Sequence, residues 1–229
     1  MNGETLRKVR KSRGLTQSET ATRLGVSQAY VALLEKGRRP VPPRLARKVV
    51  RLFKLNPGLL PASGKALSSR TLDELARDLS RLGYPGFTHL RGRQMKNPAE
   101  VLLSALARPD LDPRVAEALP WLLLKYPELD RDWLLKQARM SNLTNRLGFV
   151  VDLARLVLEK RNETDSARYH ALSRLADSLR PSRLDVEDTL GQDSLTKAER
   201  AWLRENRSEQ ARFWHLLSDW RPEFLQVVE

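Results

Sequence analysis

Apolar residues recur at intervals of three and four along nearly the whole chain, and alternation with a period of two is nearly absent. Because about 3.6 residues complete a helical turn, this spacing lines one face of each helix with apolar side chains and predicts an all-α protein. The predicted helices cover approximately residues 4–13, 16–23, 27–36, 42–54, 71–82, 98–107, 113–125, 130–140, 143–161, 165–179, 196–205 and 208–219.

Several predicted helices begin at capping signals. Asn97 and Asp112 each precede a proline, a residue that suits the first helical position. Three further starts have the spacing of a capping box, in which a hydroxyl and a carboxylate bond each other's backbone amides. These pairs are Thr16 with Glu19, Thr71 with Glu74, and Thr196 with Glu199.

The distribution of prolines, glycines and serines indicates how the helices are grouped. The segment NPGLLPASGKALSSR is rich in all three residue types and predicts a linker at 57–70. We therefore expect a first domain at 1–56 and a second helical bundle at 71–229, with a further boundary near 181–195 left open. The chain has no cysteine, which excludes disulfides, zinc–thiolate sites and cysteine nucleophiles.

The positive charge of the chain is concentrated at its N-terminal end. The whole chain has a net charge of +13, and residues 1–60 hold 14 Lys/Arg against 3 Glu, a net +11. An arginine-rich composition alone would spread the excess over every exposed face, whereas the remaining residues carry only +2. This asymmetry predicts a polyanion-binding module near the N-terminus.

The stretch TQSETATRLGVSQAYVALLEKG (16–37) has the layout of two short helices joined by a tight turn. Gly25 follows the first helix, where a left-handed residue is needed, and Ser27 is placed to cap the second. A steep crossing requires a small side chain, which Ala21 supplies, while Val31 and Leu34 face the first helix. The layout predicts a helix-turn-helix that places its second helix in the major groove of double-stranded DNA.

The outer face of that second helix supplies the candidate DNA contacts. The residues expected to face base edges are Gln28, Ala29, Ala32 and Leu33; a glutamine amide pairs with adenine, and Ala29 and Leu33 suit thymine methyl groups. The candidate backbone contacts are Gln17, Ser27, Tyr30, Lys36, Arg38, Arg39 and Arg44. For Gln17 we expect a bond to a phosphate, which would also brace Gln28, and a base contact is the alternative.

Residues from about 5 to 55 resemble the DNA-binding domain of the Cro and lambda-type phage repressors, the xenobiotic-response-element (XRE) family. The matching segments are LRKVRKSRGLTQ (6–17), Ala21, LGVSQ (24–28), LLEKG (33–37) and RLARKVVRLFKL (44–55). The resemblance implies a five-helix domain that binds a near-palindromic operator as a dimer. It also implies an internal pair between Arg10 and Glu35, which makes both residues structural, as Ala21 and Gly25 are. Leu33 departs from the family, in which this position is often polar.

The rest of the chain has no pattern typical of an enzyme. The histidines are isolated, no glycine-rich phosphate loop or GxSxG segment occurs, and the acidic run at 184–188 is expected to be an exposed turn. We therefore expect neither catalysis nor a metal or cofactor. No uninterrupted apolar run of about 18 residues is present, and MNGETLRKVRKSRG lacks the core of a secretory signal. A cytoplasmic protein that is nucleoid-associated when bound to DNA, and not membrane-bound, is expected.

Two features of residues 71–229 suggest contacts with another chain. Asn142, Asn145 and Arg146 lie between two predicted helices and are candidates for a polar contact surface. Trp202, Trp214 and Trp220 form an aromatic patch on terminal amphipathic helices, which commonly dock on a second chain.

The first functional hypothesis is a repressor that acts as a homodimer. The alternative is an antitoxin or phage-defence component whose C-terminal helices bind a partner protein while the N-terminal module regulates its own operon. A helical pocket for a small effector is a third hypothesis, for which the sequence names no ligand.

Overall fold

The structure is a computed structural model that describes residues 1–63, 67, 70–91 and 94–225. It confirms the all-α class: the described residues contain twelve α-helices and two strands of two residues each. The chain divides into two compact units, Met1–Ala62 and Ser63–Glu229. Residues 64–66 and 68–69 of the predicted linker, and residues 92–93 and 226–229 of the predicted second domain, lie outside the described residues. Among the described helices, none is long and apolar enough to cross a membrane.

The first unit consists of four α-helices and a final short turn. The helices are α1 (Gly3–Ser12), α2 (Gln17–Leu24), α3 (Gln28–Glu35) and α4 (Pro43–Leu52). In place of a fifth α-helix, Pro57–Leu59 form one 3-10 turn, and the buried Pro57 and Leu60 join this unit. The predicted linker therefore begins with residues that are packed. The core of the unit is formed by Leu6, Leu15, Ala21, Leu24, Val31, Leu34, Leu45, Ala46, Val49, Val50 and Phe53.

The second unit is built around one long central helix. Its helices are α5 (Leu72–Leu82), α6 (Pro98–Leu106), α7 (Pro113–Lys125), α8 (Arg131–Met140), α9 (Thr144–Lys160), α10 (Ala167–Leu179), α11 (Lys197–Asn206) and α12 (Glu209–Phe213). Most residues of α9 are buried, and α6, α7, α8, α10 and α12 pack against it. Burial on nearly all sides of a helix favours apolar residues around its circumference, and most buried residues of α9 are apolar, with Thr144, Asn145, Arg146 and Asp152 as the buried polar exceptions.

The predicted helix at 208–219 is wrong in its second half. After α12, His215 has the left-handed backbone angle φ 53°, and the chain continues as a strand. That strand, β2 (Leu216–Leu217), pairs in parallel with β1 (Asp188–Thr189). The acidic run at 184–188 therefore ends in a strand and is only partly an exposed turn.

The polar surface expected between two helices of the second unit is corrected at two of its three residues, and only Asn142 is exposed. Asn145 and Arg146 are buried on α9. The side-chain Nδ2 of Asn145 donates to the Leu184 carbonyl, and its Oδ1 accepts from the Leu184 amide, each at 2.8 Å. The guanidinium of Arg146 donates two bonds of 2.7 Å to Asp188, one of 3.3 Å to Asp193 and two more to backbone carbonyls. These side chains hold the segment that follows α10 and are not free to contact a partner.

The three tryptophans of the predicted aromatic patch do not share one environment. Trp214 is completely buried, and its Nε1 donates a 2.7 Å hydrogen bond to Asp152 Oδ2. A Cβ atom on Gly148 would lie 2.5 Å from the Trp214 ring, so the indole rests directly on the α9 backbone. Trp214 is therefore a core residue and is unavailable to a partner. Trp202 is 55% exposed on α11, and Trp220 is partly buried against the core.

Candidate nucleic-acid interface

The crossing of α2 and α3 is set by local capping and by a small side chain. Thr16 and Glu19 form the predicted capping box at the start of α2, and Gly25 ends that helix at φ 65°. Ser27 Oγ then accepts a 3.2 Å hydrogen bond from the Tyr30 amide and caps α3. Ala21 is 3% exposed between the two helices, which allows their backbones to approach closely. The helix-turn-helix layout therefore follows from contacts within a dozen residues.

The two faces of α3 differ sharply in burial. Val31 and Leu34 are completely buried, and Glu35 is nearly so. On the opposite side, Gln28 and Ala29 are exposed, and Ala32 and Leu33 are partly exposed. The side-chain amide of Gln28 makes no hydrogen bond with any described residue, so its donor and acceptor are both free to pair with a base. All four predicted base-facing residues lie on the side of α3 that turns away from the core.

The buried end of α3 is held by a small polar network. Arg10 donates to both carboxylate oxygens of Glu35, with Nε to Oε1 at 2.6 Å and an Nη to Oε2 at 2.9 Å, so the implied pair is present. Burial raises the pKa of Glu35, but the hydrogen bonds from Arg10 and Gln17 outweigh it and hold that pKa below its ordinary value. The hydrogen bond to Glu35 raises the pKa of Arg10. The network ties α1, α2 and α3 together through charged groups.

Gln17 differs from the expectation drawn from the sequence. Its Nε2 donates a 2.9 Å hydrogen bond to Glu35 Oε2, so it braces Glu35 and not Gln28. The reason is that the carboxylate of Glu35 is directed at the start of α2, where a second donor strengthens a buried anion. Contact of Gln17 with a phosphate or a base stays a prediction, and the bond to Glu35 uses only one of the two hydrogens on Nε2.

Four of the predicted backbone-contact residues are cations that pair with no described carboxylate. Lys36, Arg38, Arg39 and Arg44 are exposed, and none forms a hydrogen bond or an ion pair with a described residue through its side chain. The backbone amides of Arg38 and Arg39 both donate to the carbonyl of Leu33, at 3.0 and 3.4 Å, which holds these two residues close to the end of α3. The Cζ of Arg39 lies 6.0 Å from the centroid of the Tyr30 ring, which orients the guanidinium.

None of the three carboxylates of the first unit neutralises these four cations. Glu4 forms a 2.9 Å ion pair with Lys8, Glu19 belongs to the capping box, and Glu35 is paired with Arg10. The positive charge beside α3 is therefore uncompensated, as a polyanion-binding surface requires.

Two basic residues of the first unit have structural contacts that the sequence analysis did not identify. Lys48 Nζ donates a 2.7 Å bond to the carbonyl of Leu24 at the end of α2, and Arg13 donates a 2.8 Å bond to the carbonyl of Phe53. Because the partners are 24 and 40 residues apart, these two bonds cannot be predicted from the spacing of neighbouring residues. Lys48 lies in the middle of α4, so the capping preference for basic residues in a last helical turn does not point to it.

Comparison with known families agrees with this geometry. Residues 6–60 match the family model HTH_3, described as helix-turn-helix. No curated protein and no solved structure was found to match the chain. The family match covers about a quarter of the sequence, so it characterises the first unit and not the second. It confirms the resemblance to the XRE type, and the first unit is a helix-turn-helix domain of the kind carried by DNA-binding transcriptional regulators.

Proposed function

We propose that the protein is a sequence-specific transcriptional repressor that binds a near-palindromic operator as a homodimer in the cytoplasm. The observation that carries this proposal is the outward face of α3, which is flanked by the unpaired cations Lys36, Arg38, Arg39 and Arg44. A helix of this width fits the major groove of B-form DNA, and the cations that follow it along the chain can meet phosphates at the edge of that groove.

Within this proposal, Gln28 reads sequence and the arginines supply affinity. Gln28 is the first residue of α3, the part of a recognition helix that enters the groove most deeply. Its free amide matches the N6 and N7 groups of adenine. Arg38, Arg39 and Arg44 neutralise phosphates without distinguishing bases. Repression then follows when the bound protein occupies a promoter.

The homodimer is proposed from the reach of one helix. A single recognition helix contacts roughly four to six base pairs, which is too few to define a regulatory site in a genome. Two copies related by a twofold axis would read two half-sites in opposite orientation.

The experiment that tests this function is selection of bound fragments from genomic DNA by the purified full-length protein. We expect a shared inverted repeat with half-sites about one helical turn apart. Gln28→Ala should then reduce the preference among operator variants. Failure to retain any common sequence, at salt concentrations that suppress nonspecific binding, would contradict the proposal.

A second candidate function rests on the exposed Trp202. A large aromatic side chain that is 55% exposed on a helix is a common anchor for a partner protein. The exposed Trp202 supports the alternative of an antitoxin or phage-defence component. The buried Trp214 does not contribute to that support. Purification from the native operon tests it: a stoichiometric second protein that is lost with Trp202→Ala, but retained with the exposed-residue control Met140→Ala, would support this function.

A further inference from the structure

The most outward part of α3 is apolar, which is unusual for an exposed helix face. Relative to the buried Val31 and Leu34, the helical period places Ala29, Ala32 and Leu33 on the opposite side. None of these three side chains donates or accepts a hydrogen bond. The side chain of Leu33 alone presents four apolar carbons there and is only partly covered.

We infer that this protein reads thymine-rich half-sites through the C5-methyl groups of thymine, with Leu33 as the principal specificity-determining residue. This inference rests on the proposed function and names the DNA sequence class that the same surface selects. Gln28 supplies hydrogen bonding at one edge of the contact, and Ala29 and Ala32 allow the helix to approach the methyl groups closely.

Thymine is the base whose major-groove edge suits an apolar side chain. Guanine, cytosine and adenine present donors or acceptors there, and thymine adds a methyl group. A leucine pressed against a donor or acceptor would remove its water without replacing the hydrogen bond, which costs free energy. Against a methyl group the same contact removes apolar surface from water and is favourable.

The surroundings of Leu33 favour DNA over a protein as the occupant of this face. An apolar helix face with cations at its C-terminal end complements a groove whose floor carries methyl groups and whose walls carry phosphates. The Leu33 carbonyl also accepts hydrogen bonds from the backbone amides of Arg38 and Arg39, so one short turn fixes the backbone of both arginines close to Leu33. The arginines are therefore attached near the apolar face, where phosphates border the groove.

The inference is tested by replacing thymine with deoxyuridine, which removes only the methyl group. The full-length protein is titrated with its selected duplex and with versions that carry deoxyuridine at one position at a time. We expect one to three positions in each half-site at which affinity falls about three- to fourfold per methyl, and no change elsewhere.

Two variants assign the methyl contact to Leu33. Leu33→Met keeps an apolar side chain of similar volume and should keep the deoxyuridine effect. Leu33→Gln has a similar length but a polar end, and should lose the deoxyuridine effect at the position that Leu33 contacts while keeping it at any position contacted by Ala29. Circular dichroism of each variant checks that the helices are retained, and the deoxyuridine series on the unaltered protein needs no variant to fold.

The outcomes separate this inference from the proposed function. If the protein selects a duplex and every deoxyuridine substitution leaves affinity within twofold, the inference is wrong and DNA recognition stands. A selected half-site without thymine opposite α3 overturns it equally. If no duplex is selected and a partner protein instead protects α3, the proposed function fails together with this inference.

Discussion

Glu35 connects α3 to α1 and α2 through its side chain. Its carboxylate is buried at the end of α3 and accepts hydrogen bonds from Arg10 on α1 and Gln17 on α2. A buried anion is tolerated only when donors satisfy it, so these two side chains are required for Glu35 to stay where it is. The outward face of α3 is therefore oriented by an ion pair on its inner side.

Arg10→Ala should destabilise the protein by about 2–4 kcal/mol, because it leaves a buried carboxylate with one neutral donor. Chemical denaturation of the first unit measures this loss. Arg44→Ala, which removes an exposed arginine without a described partner, is the control and should change stability by less than about 0.5 kcal/mol. Equal stability of the two variants would contradict the role given to the pair.

The same carboxylate predicts a dependence of stability on pH. The pKa of Glu35 is lower in the folded protein than in the unfolded chain, so its contribution is full above about pH 4.3 and is lost as pH falls through the lower folded-state pKa. Glu35→Gln should therefore lose less stability than the unaltered protein between pH 5 and about pH 3. Parallel pH profiles of the two proteins would show that the depressed pKa belongs to other groups.

Arg39→Ala should weaken binding to every duplex by a similar factor. If Arg39 neutralises one phosphate, the slope of the logarithm of the binding constant against the logarithm of salt concentration becomes shallower by about 0.9. Lys125→Ala removes an exposed positive charge from the second unit and serves as the control. A changed preference among operator variants with an unchanged slope would make Arg39 a base-reading residue instead.

At the residue scale, the sequence predicted local partners and missed distant ones. Thr16 and Glu19 cap α2 as expected, because the two side chains are three positions apart on the same turn. The bond from Gln17 to Glu35 joins residues 18 positions apart, and its geometry exists only after α2 and α3 have packed. The Arg10–Glu35 pair was implied by the resemblance to a family. The spacing of the two residues in the sequence does not predict it.

At the element scale, helix positions followed from the sequence more closely than helix packing did. Eleven of the predicted helices have counterparts whose ends lie within two residues of the prediction, among the parts of the chain that are described. The error at 208–219 has a tertiary cause. His215 turns the chain in the left-handed region where Trp214 enters the core and β2 pairs with β1. The apolar spacing of this segment is that of a helix. The position of Trp214 is instead set by its contacts with Asp152 and Gly148, which lie more than 60 residues earlier in the chain.

Gly148→Ala should destabilise the second unit by about 1–3 kcal/mol, because a Cβ atom would lie 2.5 Å from the Trp214 ring. The added methyl group must displace the indole and strain its hydrogen bond to Asp152. Thermal unfolding followed by tryptophan fluorescence measures the change. Met140→Ala, on the exposed side of α8, is the control and should unfold within a few degrees of the unaltered protein. A Gly148→Ala protein as stable as this control would mean that the α9–Trp214 contact adapts freely.

At the scale of the whole molecule, charge and structure divide the chain at nearly the same place. Residues 1–60 carry +11 of the net +13, and the first compact unit ends at Ala62. Composition located this division because electrostatic function leaves an excess of one charge sign that folding alone does not require. Composition gave no comparable signal for the second unit, whose nearly balanced charges are compatible with any protein contact. In the proposed repressor, we expect the second unit to hold two copies together.

A homodimer predicts both a stoichiometry and a spacing on DNA. Each protomer has a mass of 26.2 kDa, and sedimentation with the selected duplex should give a complex that contains two protomers. Inserting about five base pairs between the half-sites turns them to opposite faces of the duplex and should abolish the joint binding of two copies. An insertion of about ten base pairs restores the facing and should recover part of the affinity. Deletion of one half-site is the control and should reduce affinity to that of a single contact. A single protomer on the intact duplex, with affinity independent of the inserted length, would show that one helix-turn-helix unit recognises the site alone.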